Sequence, residues 1–182
     1  TAPAFSDLDG DGDQECFIHS YYWNGPEYYE NTGTTTNPTF TYIVTSLDTI
    51  SSHYVGKRVG RQKFVDIDGD GDQDYFGAID WWGQQEVVRY ENTGTATVAD
   101  FLRDTNFLNF LPPTRSFDFA DIDSDGDQDL FVGFSDTDPT KVTTAYYENT
   151  GTATSPNFVL NTTNPLSMID SVEKMAVKVF VD

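Results

Sequence analysis

Apolar positions along the chain come in short runs. Segments such as "ECFIHSYYW" (15–23), "EYYEN" (27–31), "TFTYIVTS" (39–46) and "RQKFVDI" (61–67) are rich in Val, Ile, Phe, Tyr and Thr, and clusters of Gly, Pro, Asn and Asp separate them. That is the signature of β-strands, whose successive side chains point to opposite faces. No segment keeps a 3.6-residue apolar period over three turns, so little helix is expected.

The runs recur in a fixed order. An acidic stretch reads "FSDLDGDGDQE" from Phe5, "FVDIDGDGDQD" from Phe64 and "FADIDSDGDQD" from Phe119, with first aspartates 59 and then 55 residues apart. A second marker, "YENTGT", follows each at Tyr29, Tyr90 and Tyr147. Two linked motifs in three copies define a repeat array, with units at about 1–60, 61–115 and 116–175. The closing "MAVKVFVD" resembles "GRQKFVD" and would put Asp182 at the first position of a further loop, so 176–182 reads as the start of a fourth unit. The repeats are therefore expected to continue, in a longer parent chain or in another copy. Four strands per unit at this spacing predict an all-β, propeller-like array of three antiparallel blades, part of a larger propeller or assembly. In "ENTGT" a tight hairpin turn is expected, with Gly33, Gly94 and Gly151 supplying positive φ and the Asn side chain bonding the backbone two residues on.

Composition narrows the partners. With 37% apolar and 15% aromatic residues the chain has the material for a core, while a formal net charge of -20 argues against nucleic acid and anionic membrane surfaces. Cations are the natural counterpart. No run approaches a membrane span, and the N-terminal segment has neither a basic start nor an apolar signal core. The single Cys16 aligns with Tyr75 and Leu130 and reads as a packed core thiol.

Fifteen of the thirty acids lie in the three acidic loops, and their spacing points to a ligand set. Counted from the first aspartate, acids stand at positions 1, 3, 5, 7 and 9, with Gly always at 6. Calcium takes six to eight oxygens at about 2.3–2.6 Å, and acids at alternate residues can wrap around one such centre, whereas magnesium prefers a rigid octahedron with retained waters. The expected ligands are Asp7, Asp9, Asp11 and Glu15 in the first loop, Asp66, Asp68, Asp70 and Asp74 in the second, and Asp121, Asp123, Asp125 and Asp129 in the third. Asp13, Asp72 and Asp127, at position 7, are expected to contribute backbone carbonyls. Three ions would bring the formal charge from -20 to about -14 and offset the repulsion inside each loop.

The loop is similar to half of an EF-hand, but position 12, where a bidentate Glu belongs, is Ile18, Gly77 or Val132, and the flanks are strands. Loop and marker together, F-x-D-[IL]-D-x-D-G-D-Q-[DE] followed by Y-E-N-T-G-T, resemble the FG-GAP/VCBS class of repeats, found in integrin-type propellers and secreted bacterial proteins. The resemblance implies calcium-stabilised blades and leaves the biological role open, since such repeats serve in adhesins, lectins, enzyme-associated modules and filaments.

No catalytic constellation is visible. His19 and His53 occupy no repeated position, and neither a nucleophile elbow nor a metal-binding His spacing occurs. The basic cluster Lys57, Arg58, Arg61 and Lys63 precedes the second loop and is expected to balance its charge. The expectation is thus a noncatalytic, calcium-binding extracellular module acting as scaffold, adhesin or subunit of a surface assembly, with protein partners or further repeats at its ends. The alternative is a lectin-like propeller binding glycans on Trp23, Trp81 and Trp82. Weak calcium sites of this kind operate at the concentrations found outside cells, which predicts a secreted or surface protein, and the sequon at Asn161 is compatible with glycosylation.

Overall fold

A computed structural model describes residues 3–19, 26–43, 50, 54, 57–81, 84–95, 97–135 and 142–161, with the backbone alone described at 19, 58, 59, 81, 84, 135, 142 and 143. Twelve strands are found there. They are β1 (Ala4–Ser6), β2 (Glu15–His19), β3 (Pro26–Asn31), β4 (Phe40–Ile43), β5 (Arg58–Val65), β6 (Asp74–Trp81), β7 (Gln84–Asn92), β8 (Phe101–Asp104), β9 (Thr114–Ala120), β10 (Asp129–Ser135), β11 (Val142–Asn149) and β12 (Phe158–Leu160). They form three four-stranded antiparallel sheets in which every strand pairs with its sequence neighbours. The fold is all-β, one meander per repeat. Among the described residues, helical backbone occurs only at Ile50 and Tyr54.

Alternation along the strands decides how the sheets meet. In β6, Tyr75 and Ile79 enter one apolar cluster with Leu8, Phe17, Phe64 and Tyr90, while Phe76 and Ala78 enter a second with Ile67, Phe117, Phe119 and Leu130. The second sheet is therefore buried on both faces, between the first and the third. Cross-sheet ring pairs close each interface, Phe17 against Phe64 at 4.6 Å and Phe76 against Phe119 at 4.7 Å. Each such pair adds about 0.5–1.5 kcal/mol beyond its area burial. Strand β5 alternates in the same way, with Phe64 in the first cluster and Val65 against the second.

Two expectations are met in a different form or not at all. Gly33, Gly94 and Gly151 do not adopt positive φ; among the described residues the positive-φ glycines are Gly10, Gly12, Gly69, Gly71 and Gly126, all in the acidic loops. What demands glycine in "ENTGT" is close backbone approach, because a Cβ would stand 2.6 Å from Thr39 N at Gly33 and 2.8 Å from Asp100 N and Asn157 N at Gly94 and Gly151. The basic cluster also serves another purpose. Arg61 and Lys63 lie on the face of β5 that meets the third sheet, and there both pair with Asp118 of β9, Arg61 Nη2 at 2.7 Å. They tie two sheets together rather than neutralising the second loop. Cys16 is buried, as its alignment with apolar positions implied, and burial pushes its thiol pKa up.

Candidate functional site

The acidic loops connect the first two strands of each sheet, β1 to β2, β5 to β6 and β9 to β10. Their sequences fold in place through their own backbone. The position-1 carboxylate accepts two amides in every copy: Asp7 from Gly10 and Gly12 at 2.7 and 3.1 Å, Asp66 from Gly69 and Gly71 at the same distances, Asp121 from Ser124 and Gly126 likewise. At position 5, Asp11, Asp70 and Asp125 each accept the amide two residues on, at 2.9–3.1 Å. Position 6 turns through φ of +92° to +96° at Gly12, Gly71 and Gly126, a region that side chains disfavour. At position 4, where Gly10 and Gly69 also have positive φ, the third loop holds Ser124 at φ 65°. A short polar residue tolerates that region better than a branched one.

This scaffold brings carboxylates together. One oxygen each from Asp66, Asp68 and Asp70, and from Asp121, Asp123 and Asp125, lie within 4.8 Å of one another; in the first loop two such groups share Glu15, one with Asp7 and Asp9, the other with Asp11 and Asp13. Oxygens bound to one calcium ion can be no more than about 5 Å apart, so each group has the spacing of a shared cation. Asp74 and Asp129 stand outside these groups of three.

The position-7 and position-9 acids are buried. Asp13, Asp72 and Asp127 keep 5–7% exposure, and Glu15, Asp74 and Asp129 at most 1%. Asp74 and Asp129 are supplied with donors: Asp74 Oδ1 accepts Asn92 N at 2.8 Å and its Oδ2 faces Arg89, while Asp129 accepts Asn149 N at 2.8 Å, Tyr146 OH at 3.0 Å and Ile122 N at 3.2 Å. Glu15 accepts Leu8 N on Oε2, yet its Oε1 has no hydrogen-bond partner, and neither has Asp13 Oδ1 or Asp127 Oδ1. A buried carboxylate oxygen without a donor costs free energy unless a proton or a cation compensates it. Accordingly, burial and then neighbouring acids push Asp72 up to about 7 and Asp127 up to about 6; Glu15 is raised to about 7, chiefly by burial. These donor sets fit a hard divalent ion, which would supply the missing positive charge to the convergent carboxylates and the orphaned oxygens.

The "ENTGT" asparagine links each loop to the next hairpin. Asn31, Asn92 and Asn149 each accept two backbone amides on Oδ1, those of Gly33 and Thr39, Gly94 and Asp100, and Gly151 and Asn157, at 2.8–3.2 Å. In the second and third sheets the backbone N–H of the same asparagine donates to the position-9 acid. One residue that the acid spacing does not reveal is Arg89. It interrupts the repeat where Tyr28 and Tyr146 stand in the other copies, "RYENTGT" against "YYENTGT", and that break is its signal in the sequence. Trp23 and Trp82 lie outside the described residues, as does the side chain of Trp81 and residue His53. The 176–182 segment also lies outside them.

Residues 66–132 match the model of an FG-GAP-like repeat family, a span running from the second acidic loop through the third to β10. No curated protein and no solved structure matches the chain.

Proposed function

We propose that this chain, whose residues 66–132 match an FG-GAP-like repeat model, is a noncatalytic calcium-binding module of an extracellular protein, acting as scaffold, adhesin or subunit of a surface assembly. The observation that carries this reading is the threefold recurrence of one acidic loop whose carboxylate oxygens converge within 4.8 Å. Buried carboxylates with unpartnered oxygens accompany two of the three loops. Each loop joins the first two strands of its sheet, so an ion held there would cross-link a hairpin and offset the repulsion of five acids. Its role is structural. The sheets would be blades of a propeller-like array, stacked face to face as the doubly buried second sheet suggests. Among the described residues no helix is long and apolar enough to cross a membrane. An extracellular setting follows from the ion, since weak calcium modules fill at about 10⁻⁴ to 10⁻³ M.

The test is calorimetric titration of the purified chain with calcium chloride, compared with a variant carrying Asp11→Asn, Asp70→Asn and Asp125→Asn. Asparagine keeps the Oδ1 acceptor that organises each loop and removes one charge. Saturable binding that the triple variant loses supports the proposal. Absence of binding up to millimolar calcium would end it.

A further inference from the structure

The three loops look alike in sequence, yet the second already holds a cation of its own. Arg89, on β7, has a side chain only 6% exposed, and its guanidinium lies inside the acid cluster. Its Nη2 donates to Asp68 Oδ2 at 2.5 Å and to Asp74 Oδ2 at 2.7 Å, its Nε donates to Asp74 Oδ2 at 3.1 Å, and Nη1 is 3.9 Å from Asp104 Oδ2. The guanidinium also lies over the ring of Phe107, its carbon 4.5 Å from the ring centroid. In the third copy the same place is taken by Tyr146, whose neutral hydroxyl bonds Asp129. In the first it is Tyr28.

We infer that Arg89 makes the second loop a weak calcium site or an ion-independent one, so that the array carries two strong sites, in the first and third loops, and one loop whose charge is balanced by the protein itself. Asp68 is at position 3, one of the three carboxylates that converge in the second loop, and the guanidinium occupies one of its oxygens. A divalent ion entering there must displace that donor or bind beside a fixed positive charge, and both weaken binding. The unpartnered oxygens are distributed accordingly. Buried carboxylate oxygens without a donor occur in the first loop, at Asp13 and Glu15, and in the third, at Asp127; among the described residues none belongs to the second. The buried carboxylate oxygens left without a donor are thus confined, among the described residues, to the two loops that have no arginine. Arginine suits this place better than lysine would, because its planar fork bridges two carboxylates and stays charged at any pH the protein meets.

This inference rests on the calcium reading of the loops, and one experiment separates the two. Calcium chloride is titrated into the ¹⁵N-labelled chain while the amides of Gly12, Gly71 and Gly126, the position-6 residues of the three loops, are followed. The expected result is that Gly12 and Gly126 shift first and that Gly71 shifts at a concentration about tenfold or more higher. Arg89→Tyr, which installs the residue of the other two copies, brings the midpoint of Gly71 down to theirs. The reciprocal Tyr146→Arg raises the midpoint of Gly126 and decides the matter if Arg89→Tyr fails to fold. If none of the three glycines responds to calcium, the calcium reading itself falls and this inference with it. If all three respond at one midpoint in the unaltered chain, or if neither substitution moves the midpoint of its own loop, calcium binding stands and the role of Arg89 is overturned.

Discussion

Asn92 illustrates how much one side chain does in this fold. Its Oδ1 accepts Gly94 N and Asp100 N, while the backbone N–H of the same residue donates to Asp74, and it is 2% exposed. Asn92→Ala leaves two amides without their acceptor and should cost about 1–3 kcal/mol, read as a lower urea midpoint at unchanged slope. Gly77 carries a different constraint. It sits in β6 beneath Tyr54, and a Cβ there would also stand 3.0 Å from Tyr75 Oη. Gly77→Ala should destabilise by about 1–3 kcal/mol through overpacking, although alanine suits a strand better than glycine. The role of the asparagine was legible in "ENTGT", because an Asn side chain bonding two residues on is a local rule. That of the glycine beside it was not. Positive φ and close backbone approach select the same residue, and only the path of the returning strand distinguishes them. Arg61 and Lys63 were misassigned for a related reason: nearness in sequence to an acidic loop suggested a partner, while the two-residue period of β5 turned both toward Asp118. Asn161 was read as a sequon, and the fold has its Nδ2, the atom a glycan would occupy, donating to Glu148 at 2.9 Å.

The acidic hairpin is the element whose behaviour should depend most on conditions. Burial raises Glu15 and Asp72 to about 7 and Asp127 to about 6, above the values these groups have in an unfolded chain. Without a divalent ion the folded state therefore binds more protons than the unfolded one. Their contribution to stability is fully present below the unfolded values of about 4 and is lost as pH rises through about 6 to 7. With calcium bound the trend reverses, since ligands must be deprotonated and acid releases the metal. Denaturant midpoints should thus rise from about pH 8 to about pH 5 in chelator and fall over the same interval in calcium. Parallel trends in the two buffers would show that these carboxylates do not hold the ion. The loop itself was readable from its acid spacing in triplicate, with glycine in register. Arg89 escaped because a contact across to β7 depends on hairpin register, and only its departure from the tyrosine of the other copies marks it.

At the scale of the molecule, the second sheet is the keystone because both its faces are covered. Phe76, fully buried in the second cluster, meets Phe119, Phe117 and Phe107. Phe76→Ala should cost about 3–5 kcal/mol, whereas Phe5, 53% exposed, should tolerate alanine with a change within about 0.5 kcal/mol. Hydrogen exchange should likewise be slowest in β6, the inner strand with the deepest burial. Three four-stranded antiparallel units were legible in the chain, since each period carries four apolar runs separated by turn residues. The core contributed by Ile50 and Tyr54 was not. Both are fully buried in the first cluster, yet they lie in the connection between two repeats, where no strand alternation marks them. One proposal joins these scales: bound calcium completes the acidic hairpins and so stabilises the stacked sheets. Thermal unfolding of the chain at neutral pH, in millimolar calcium and in excess chelator, tests it most directly. Two sites with dissociation constants of about 10⁻⁴ M, filled by millimolar calcium to about 10 times that value, contribute about 3 kcal/mol, which predicts a melting temperature higher by about 6–11 °C in calcium. Identical unfolding curves in the two buffers would contradict it.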